Sequence, residues 1–466
     1  MLRIKDLSVS YGENLIINHM NGVFRPGTIS VITGLSGCGK TTLLKVLNGI
    51  IPEVNEAEVH GSVTFGEHDL LNEDMPSKSS YLSTVFQNPK TQFYCINSDD
   101  ELAFGLENRN VPREEILSTI SKYTKLLKTE DLTGRDVFSL SGGEKQLLAI
   151  TATACLDNDI YLFDEPSASL DRSAIRRFKE VLLQLKKQKK IILIAEHRLY
   201  YLKELLDSLL VLDHGQIYDY TPSQLKADYP SIQKKHNLRE INEIKYEDFN
   251  KEKITRVKLT GEQGIQNKAE GDKVLRCSGF KAAYQQPVLD LSIDLKPGIY
   301  FIIGENGVGK STFIKRLCNL NKGRGTRYYD KVKFTRPYKY VSMVMQDVNY
   351  QIFTESCFNE LNVIQPDEEA IDQALKEVGL LHKKEVHPQL LSGGEKQRLL
   401  IAKTKVSNKP VILLDEPTSG LDRLQMKRIA SYLHEFKNMG KTVLVITHDY
   451  ELISECDGEI LEFIKE

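Results

Sequence analysis

One heptapeptide, LSGGEKQ, occurs twice in the chain, at residues 140–146 and 391–397. In both copies the interval from the first glycine to a downstream glutamate is 23 positions, for Gly142 and Glu165 (165 − 142) and for Gly393 and Glu416 (416 − 393). A repeat of about 250 residues is far longer than the unit of a solenoid. The sequence therefore predicts a duplicated domain, which limits the chain to folds that one copy can form.

The length of the chain fits two domains. A chain of 466 residues exceeds one ordinary hydrophobic core. We expect a first domain at 1–220, a linker at 221–273 and a second domain at 274–466. The expected linker is rich in lysine and glutamate, is interrupted by proline and glycine, and has little apolar periodicity.

Short apolar runs alternate with helical stretches in both copies. TISVITG, DIYLFDE and KIILIAEH recur as IYFIIG, PVILLDE and KTVLVITH. Apolar runs without polar alternation indicate strands that are buried on both faces. The pattern predicts an α/β fold with a mostly parallel sheet covered by helices. The segments 100–135 and 355–388 are expected to form a helical subdomain inserted in each copy.

Composition and charge exclude several functional classes. The formal net charge of −2 argues against a general attraction to nucleic acid. Apolar runs such as IILIA at 191–195 are far shorter than the roughly 20 residues that span a bilayer, and the N-terminus lacks the apolar block of a secretion signal. Seven scattered cysteines fit a reducing cytosol better than a disulfide framework.

Two glycine-rich motifs carry the strongest chemical signal. GLSGCGKT at 34–41 and GENGVGKS at 304–311 both fit G-x-x-x-x-G-K-[ST], and each follows an apolar strand and opens a helical pattern. Such a loop directs backbone N–H groups at phosphate oxygens. Lys40 and Lys310 would reach the β- and γ-phosphates. The nucleotide-binding candidates of the two loops are Gly34, Ser36, Gly37, Cys38, Gly39, Lys40, Thr41, Thr42, Gly304, Asn306, Gly307, Val308, Gly309, Lys310, Ser311 and Thr312.

Paired carboxylates end a buried strand in each copy, in IYLFDEP and VILLDEP. The second carboxylate of each pair, Glu165 or Glu416, would polarise the water that attacks the γ-phosphate. The first would hold magnesium together with a loop hydroxyl and a glutamine that follows another strand. The six magnesium candidates are Thr41, Gln87, Asp164, Ser311, Gln346 and Asp415.

Two histidines and two tyrosines complete the candidate sites. His197 and His448 each lie 32 positions after the glutamate of their copy (197 − 165; 448 − 416) and are expected to bond the γ-phosphate and hold the attacking water. Tyr11 and Tyr284 precede the phosphate loops and are expected to stack on adenine, with core packing as the alternative.

The order of phosphate loop, glutamine, LSGGE, DE and histidine resembles the ATP-binding-cassette ATPases over nearly the whole chain. The resemblance implies ATP and Mg²⁺ as cofactors, and two P-loop domains, each with a mostly parallel sheet, a helical subdomain and an N-terminal antiparallel β part. It also implies that the LSGGE corner of one domain covers the nucleotide of the other. The segments 169–171 and 421–422 resemble the loop that carries signals between sites. The corner residues are Ser141, Gly142, Gly143, Ser392, Gly393 and Gly394.

The stretch after the first glutamine, QNPKTQFYC, resembles the ATPases of energy-coupling-factor importers of vitamins and cobalt. In that family the segment cradles short helices of a membrane scaffold. The resemblance implies a transmembrane scaffold (T-type) subunit and a substrate-binding membrane (S-type) subunit as partners, and a position on the inner face of the cell membrane. Gln92 and Phe93 are expected to contact the scaffold. Lys90, Val348 and Asn349 depart from the family pattern.

Other functions remain open at the level of sequence. Translation factors that act on ribosomes are also single chains with two cassettes, although their linkers are usually basic and helical. DNA-repair and chromosome-structuring ATPases carry coiled-coil or zinc insertions, and none is apparent here. Export is not excluded, and the cargo is open among vitamins, related small molecules and transition-metal ions. His197 is followed by Arg198 but His448 by Asp449, and we expect two competent sites with unequal rates.

Overall fold

The computed structural model of the chain describes residues 1–168, 170–259, 272–283 and 287–465. Tyr284, expected to stack on adenine, and Ser169, in the segment after the first glutamate, lie outside these residues. The chain divides into two compact units, residues 1–243 with 422–424, and residues 244–421 with 425–466. Each unit is described by itself. No helix among the described residues is long and apolar enough to cross a bilayer.

The first unit contains a six-stranded sheet and a four-stranded antiparallel sheet. Its strands are β1 (Leu2–Tyr11), β2 (Asn14–Phe24), β3 (Thr28–Gly34), β4 (Glu58–Phe65), β5 (His68–Asp69), β6 (Leu82–Val85), β7 (Ile160–Asp164), β8 (Ile191–Ala195), β9 (Ser208–Asp213) and β10 (Gln216–Tyr220). Its helices are α1 (Lys40–Asn48), α2 (Ile50–Glu53), α3 (Met75–Lys78), α4 (Ser98–Glu107), α5 (Arg113–Leu127), α6 (Gly142–Cys155), α7 (Arg172–Lys187) and α8 (Pro222–His236).

The six-stranded sheet of the first unit has the order β10-β9-β3-β8-β7-β6, and only β10 runs antiparallel to its neighbour. Its two faces belong to two hydrophobic clusters. Val31 packs with helices α4 to α8, while its neighbour Ile32 packs with α1 and the antiparallel sheet. This two-sided burial is why the central strands are apolar without alternation, and it confirms the predicted α/β fold.

The second unit also contains a six-stranded sheet and a four-stranded antiparallel sheet. Its strands are β11 (Ile254–Lys258), β12 (Leu275–Ala283), β13 (Pro287–Leu295), β14 (Gly298–Ile303), β15 (Arg324–Tyr329), β16 (Val332–Lys333), β17 (Val341–Val344), β18 (Val411–Asp415), β19 (Thr442–Ile446) and β20 (Glu459–Ile464). Its helices are α9 (Lys310–Leu317), α10 (Cys357–Asn362), α11 (Glu368–Glu377), α12 (Gly393–Ser407), α13 (Arg423–Asn438) and α14 (Tyr450–Glu455). The six-stranded sheet has the order β11-β20-β14-β19-β18-β17.

The edge strand of the large sheet has a different origin in each unit. In the first unit β10 returns from β9 in a hairpin. In the second unit β11, which precedes the antiparallel sheet in sequence, pairs in parallel with β20. The edge strand of the first sheet therefore comes from the end of the first repeat, whereas the corresponding strand of the second sheet comes from the segment between the two repeats.

The expected linker at 221–273 differs from the structure. Residues 222–236 form α8, which begins with a capping box at Thr221 and Gln224, and Leu225, Tyr229 and Ile232 are buried in the core of the first unit. Residues 254–258 form β11 of the second unit. The backbone of α8 is kinked at Asp228, two residues before Pro230, so its buried residues do not follow one continuous helical spacing that the sequence could have shown. Because α8 packs into the core of the first unit, the first domain extends beyond residue 220.

Candidate active site

Both phosphate loops connect a central strand to a helix. The first runs from β3 to α1 and the second from β14 to α9, and both helices begin at the motif lysine. Gly39 has a φ of 108°, and a Cβ there would lie 2.8 Å from Ile16 Cγ2. Only glycine fits this position. At Gly37 and Gly307, by contrast, no atom lies within 4 Å of the position that a Cβ would take. This open space in each loop is on the side where a phosphate group could bind.

The motif lysines are buried and held by backbone oxygens. Lys40 Nζ donates to the carbonyl oxygens of Gly34 and Leu35, at 3.4 Å and 3.2 Å. Lys310 Nζ donates to those of Gly304 and Glu305, at 2.6 Å and 3.0 Å. An ammonium group held in this way lies inside the loop, where it can reach a polyphosphate that the loop N–H groups bind.

The magnesium candidates of the first unit lie side by side. Thr41 Oγ1 donates a hydrogen bond to Asp164 Oδ1 at 3.1 Å. Burial raises the pKa of Asp164 and likewise that of Asp415, and a divalent cation beside either carboxylate would stabilise the charged form. Hydroxyl, amide and carboxylate oxygens are the hard ligands that Mg²⁺ prefers. The described residues contain no group of three or more His, Cys, Asp and Glu that could hold a metal.

Glu165 lies at the centre of the first site. Gln87 Nε2 donates to Glu165 Oε2 at 2.7 Å, and His197 Nε2 lies 3.5 Å from Glu165 Oε1. Burial raises the pKa of Glu165 to about 8, although Lys40 opposes the shift. Burial also lowers the pKa of His197 well below its usual value, which favours a neutral imidazole. The structure thus brings together the glutamate, glutamine and histidine expected from sequence.

The second unit places its glutamate and histidine in the same way. His448 Nε2 lies 3.8 Å from Glu416 Oε1, and the backbone N–H of His448 donates to Glu416 Oε2 at 3.4 Å. Gln346 follows β17, as Gln87 follows β6. The two units therefore present the same chemical groups at the ends of corresponding strands.

The LSGGE corners are the N-termini of α6 and α12, and their glutamates have a role that the sequence reasoning missed. Ser141 accepts from the N–H of Glu144 through its hydroxyl, and Glu144 Oε2 accepts from the N–H of Ser141 at 2.8 Å. Ser392 and Glu395 form the same capping box. The S-x-x-E spacing is the signal that could have revealed it. The capping boxes fix each corner, and a basic residue, Arg135 in the first unit, holds Glu144 by a 2.7 Å ion pair.

The contacts of a buried carboxylate beside each histidine were also missed. In the first unit it is Glu196, just before His197. Its Oε1 accepts from the N–H of His197 at 2.7 Å, and its Oε2 accepts from the Tyr201 hydroxyl at 2.8 Å and from the N–H of Ser167 at 3.3 Å. Ser167 lies two residues after Glu165, so Glu196 ties the histidine to the segment that follows the glutamate.

In the second unit the carboxylate lies on the other side of the histidine. Asp449, just after His448, accepts from the Thr418 hydroxyl at 2.6 Å and caps α14. Thr418 occupies the place of Ser167, two residues after Glu416. In both units a carboxylate next to the histidine therefore contacts the residue two positions after the glutamate. This carboxylate precedes the histidine in the first unit and follows it in the second.

Both glutamine segments expose aromatic residues, and these differ from the expected contact residues: they are Tyr94 in the first unit, and Tyr350 and Phe353 in the second. Gln92 accepts from the N–H of Phe86 at 3.2 Å, and Phe93 packs against the core. The next residue, Tyr94, is 77% exposed, and its counterpart Phe353 is 78% exposed. Gln92 and Phe93 thus shape the segment, while Tyr94 lies on its surface.

Buried glutamates hold these exposed aromatics in place. Glu101 Oε2 accepts from the N–H groups of Tyr94 and Cys95, at 3.0 Å and 2.8 Å. Glu360 Oε2 accepts from those of Phe353 and Thr354, at 3.1 Å and 3.0 Å. A backbone fixed by a buried carboxylate presents its aromatic side chain with little loss of conformational freedom on binding.

Tyr11 ends β1, where it pairs with Asn14 at the turn into β2. It is partly buried against the cluster formed by the antiparallel sheet and α1. Both the adenine-stacking role and the core-packing alternative therefore stay open for this residue.

The model of a known family matches two stretches of the chain. The family is described as "ABC transporter", and its model matches residues 17–168 and 288–419. The chain belongs to the ABC transporter family. Each matched stretch contains one phosphate loop, one LSGGE corner and one DE pair, so the ABC module occurs twice and membership implies ATPase activity.

Several proteins resemble this ABC transporter chain over nearly its whole length. It is 35% identical over 477 residues to a "Putative ABC transporter ATP-binding protein" of Treponema denticola, an alignment that covers 99% of this chain and 95% of the relative. It is 29% identical over 489 residues to the "Putative HMP/thiamine import ATP-binding protein YkoD" of Bacillus subtilis, covering 99% and 89%. Among solved structures, "RNase-L Inhibitor" matches with a TM-score of 0.61 and 22% identity, over 98% of this chain and 87% of that chain, which shows a shared tandem fold.

Proposed function

We propose that this chain is the ATP-hydrolysing motor of an energy-coupling-factor type importer. The observation that carries the proposal is the duplicated arrangement of a catalytic glutamate and histidine, accompanied in each unit by an exposed aromatic fixed on the glutamine segment. The first part is the machinery of a nucleotide hydrolase. The second is a surface suited to a partner helix.

Each phosphate loop binds one ATP through its N–H groups and its lysine. In their charged form Glu165 and Glu416 polarise the attacking water, and the imidazoles of His197 and His448 bond the γ-phosphate. The groups proposed to hold Mg²⁺ are Thr41, Gln87 and Asp164 in the first unit, and Ser311, Gln346 and Asp415 in the second. When bound there, Mg²⁺ neutralises charge that develops on the phosphate oxygens.

The two units act as an intramolecular pair. Ser392, Gly393 and Gly394 complete the site of Lys40, while Ser141, Gly142 and Gly143 complete that of Lys310. Each corner is a capped helix N-terminus, whose N–H groups and dipole favour an exposed phosphate. ATP then joins the units, and hydrolysis releases them.

The membrane side of the proposal rests on the aromatic residues Tyr94 and Phe353. The chain would lie on the inner face of the cell membrane, where these side chains bind a T-type scaffold subunit that also carries an S-type substrate-binding subunit. The cargo is a vitamin, a related small molecule or a transition-metal ion. The import function in the name of the Bacillus subtilis relative supports this direction of transport.

Co-purification and uptake test the proposal. The chain should co-purify from membranes with a small hydrophobic scaffold protein, and ATP should drive uptake by that complex. Tyr94→Glu with Phe353→Glu should abolish both while leaving basal hydrolysis within about twofold. Val23→Glu with Val332→Glu adds the same charge at residues that are 50% and 57% exposed on the antiparallel sheets, and should preserve uptake. Sedimentation with ribosomes and no membrane partner would instead support a translation factor.

A further inference from the structure

The chain from the end of α9 through β15 in the second unit carries only positive charge. Its charged residues are Lys315, Arg316, Lys322, Arg324 and Arg327, and residues 315–329 include no Asp or Glu. The corresponding residues 45–65 of the first unit, from α1 through β4, contain one lysine and three glutamates. The two units therefore differ here in the sign of their charge.

Two of these arginines occupy positions that belong to the apolar core in the first unit. Arg316 and Val46 each lie six positions after the motif lysine of their loop. Arg327 and Val63 lie at the same register of the antiparallel sheet, two positions before the residue that pairs with the first residue of the neighbouring strand. Both valines are fully buried, and the two arginines are only 6% and 5% exposed. The second unit thus holds two guanidinium groups at buried positions.

The end of α9 satisfies Arg327. Its Nε donates to the carbonyl oxygen of Leu317 at 2.8 Å, and its Nη2 donates to that of Arg316. These carbonyl oxygens carry the negative end of the helix dipole. Because Arg327 covers them, an anion that approached this end of α9 would meet a guanidinium group instead of bare carbonyl oxygens.

Arg316 lacks an anionic partner. Its Nη1 donates to the carbonyl oxygen of Asn321 at 2.7 Å, but its Nε has no hydrogen-bond partner among the described residues. Burial lowers the pKa of Arg316, and burial together with Arg316 lowers the pKa of Arg327. A buried cation is costly when no anion pairs with it, and a bound anion would offset that cost.

Arg316 lines an open pocket of about 570 Å³ at the end of α9 that is remote from the phosphate loop. The other lining residues are Asn319, Leu320, Asn321, Lys322 and Gly323. In the first unit α2 follows α1, and its Ile51 is fully buried in the core. Residues 318–323 of the second unit form no helix, so nothing equivalent to α2 fills this place.

The lining of the pocket is suited to a phosphate group. A phosphate accepts several charge-assisted hydrogen bonds at once, and Arg316 and Lys322 together supply both donors and positive charge. Lys322 is exposed, so its side chain can move toward a ligand. Leu320, also in the lining, is 57% exposed. An exposed apolar side chain beside cationic groups is typical of a surface that binds anionic phospholipids.

We infer that the pocket after α9 binds the phosphate group of an anionic ester, and that the first unit has no such site. The site is separate from the loop that holds ATP, because the two lie at opposite ends of α9. The ester can be a phospholipid headgroup at a membrane surface or a soluble phosphate ester, and the exposed Leu320 favours the lipid.

Vesicle flotation tests this site on the full-length chain, with saturating Mg²⁺ and ADP to occupy the two phosphate loops. Vesicles with about 30% phosphatidylglycerol should bind the wild type, and vesicles of phosphatidylcholine alone should not. Arg316→Met keeps a long apolar side chain and should weaken the binding about fivefold, as should Lys322→Gln at an exposed position. Lys333→Gln removes the same charge at an exposed position on β16 and should change the binding less than about twofold.

Titration calorimetry with glycerol 3-phosphate, under the same conditions without vesicles, distinguishes the two sources. A soluble ester as the ligand predicts heat of binding that Arg316→Met and Lys322→Gln reduce, with no flotation of the wild type. A lipid as the ligand predicts flotation that Leu320→Gln weakens, with little heat from glycerol 3-phosphate. Either outcome supports a phosphate site.

Two results would overturn the inference. One is that neither vesicles nor glycerol 3-phosphate bind. The other is that Lys333→Gln weakens the binding as much as Lys322→Gln does, which would indicate a general attraction between charges. A melting temperature close to that of the wild type shows that Arg316→Met folds, and Lys322→Gln decides the question if it does not. Co-purification with a scaffold protein tests the proposed function independently of these variants.

Discussion

Glu165 and Glu416 adopt left-handed backbone conformations, with φ values of 44° and 49°, that glutamate seldom adopts. The N–H of Glu165 donates to the oxygen of Ala195 at 2.8 Å, and that of Glu416 to Ile446 at 2.9 Å. The neighbouring strand thus holds each glutamate in its unusual conformation. The DE motif predicted where these carboxylates lie along the chain, but a motif contains no information on φ, because the conformation depends on a strand distant in sequence.

The buried carboxyl of Glu165 predicts a pH-dependent effect of Glu165→Gln on metal- and nucleotide-free protein. The folded chain, with a pKa of about 8 against a reference of 4.5, holds this proton more tightly than the unfolded chain. The Glu165 carboxyl therefore lowers the stability of wild-type protein as the pH rises from 4.5 to 8, a contribution that the variant lacks. Above pH 8 the variant should be more stable by a few kcal/mol, with about 5 kcal/mol as the upper limit, since the shift is 3.5 pKa units (8 − 4.5) and one unit is about 1.4 kcal/mol.

Urea denaturation in EDTA measures this effect. The difference between the midpoints of variant and wild type should widen between pH 5 and pH 8.5. The exposed substitution Glu114→Gln is the control. A difference that stays constant with pH would contradict the buried, protonated carboxyl.

Lys310→Ala should remove one nucleotide site and leave the other. The lysine lies inside the second loop, so its loss removes the ammonium that the β- and γ-phosphates require there. Equilibrium dialysis should show bound ATP falling from about two to about one per chain. Lys322→Ala, at an exposed position, should still bind two. A variant that binds two ATP would show that Lys310 is not a phosphate ligand.

At the scale of elements, the central strands and most helices could be predicted, because their apolar patterns follow from burial on both faces of a sheet. Helix α8 and strand β11 could not, since each contributes only a few buried residues within a polar stretch. The carboxylates beside the histidines were also not predictable: Glu196 precedes its histidine and Asp449 follows its own, so no shared spacing marks them. Only the fold shows that both contact the segment after Glu165 or Glu416.

These two contacts predict parallel effects of Glu196→Gln and Asp449→Asn. Each amide keeps the side-chain size but replaces one accepting oxygen with a donor. In the first unit this donor opposes the N–H of Ser167, and in the second a single oxygen is left for the Thr418 hydroxyl and the N–H of Leu452, so the hydroxyl must turn to accept. We expect kcat for ATP to fall about tenfold with KM changed less than twofold, because position rather than binding is affected. Steady-state hydrolysis measures both constants.

To measure one site at a time, each substitution is combined with a Glu→Gln substitution that inactivates the other site. Glu196→Gln is assayed together with Glu416→Gln, and Asp449→Asn together with Glu165→Gln. Substitution of the exposed Glu114 by Gln is again the control. A rise in KM with an unchanged kcat would assign these carboxylates to nucleotide binding instead.

At the scale of the whole molecule, the chain carries two similar sets of proposed catalytic groups, and we expect both to turn over. Glu165→Gln together with Glu416→Gln should abolish hydrolysis, because neither water would be polarised, and should retain ATP between the units. ATPase assays and the amount of labelled ATP that survives gel filtration measure the two effects. Each single variant should keep part of the wild-type rate. Unchanged hydrolysis in the double variant would remove the glutamates from the mechanism.

Few residues of the segment that joins the two units lie outside a hydrophobic core. Leu238 and Ile241 are buried in the core of the first unit, and Tyr246 packs against that of the second. A tether of so few unpacked residues gives each half a millimolar effective concentration of the other. Turnover per chain should consequently be indifferent to dilution from micromolar to nanomolar protein. A protease site inserted between Glu243 and Ile244 should, once cut, make the rate fall on dilution, because the two halves would then have to associate from solution.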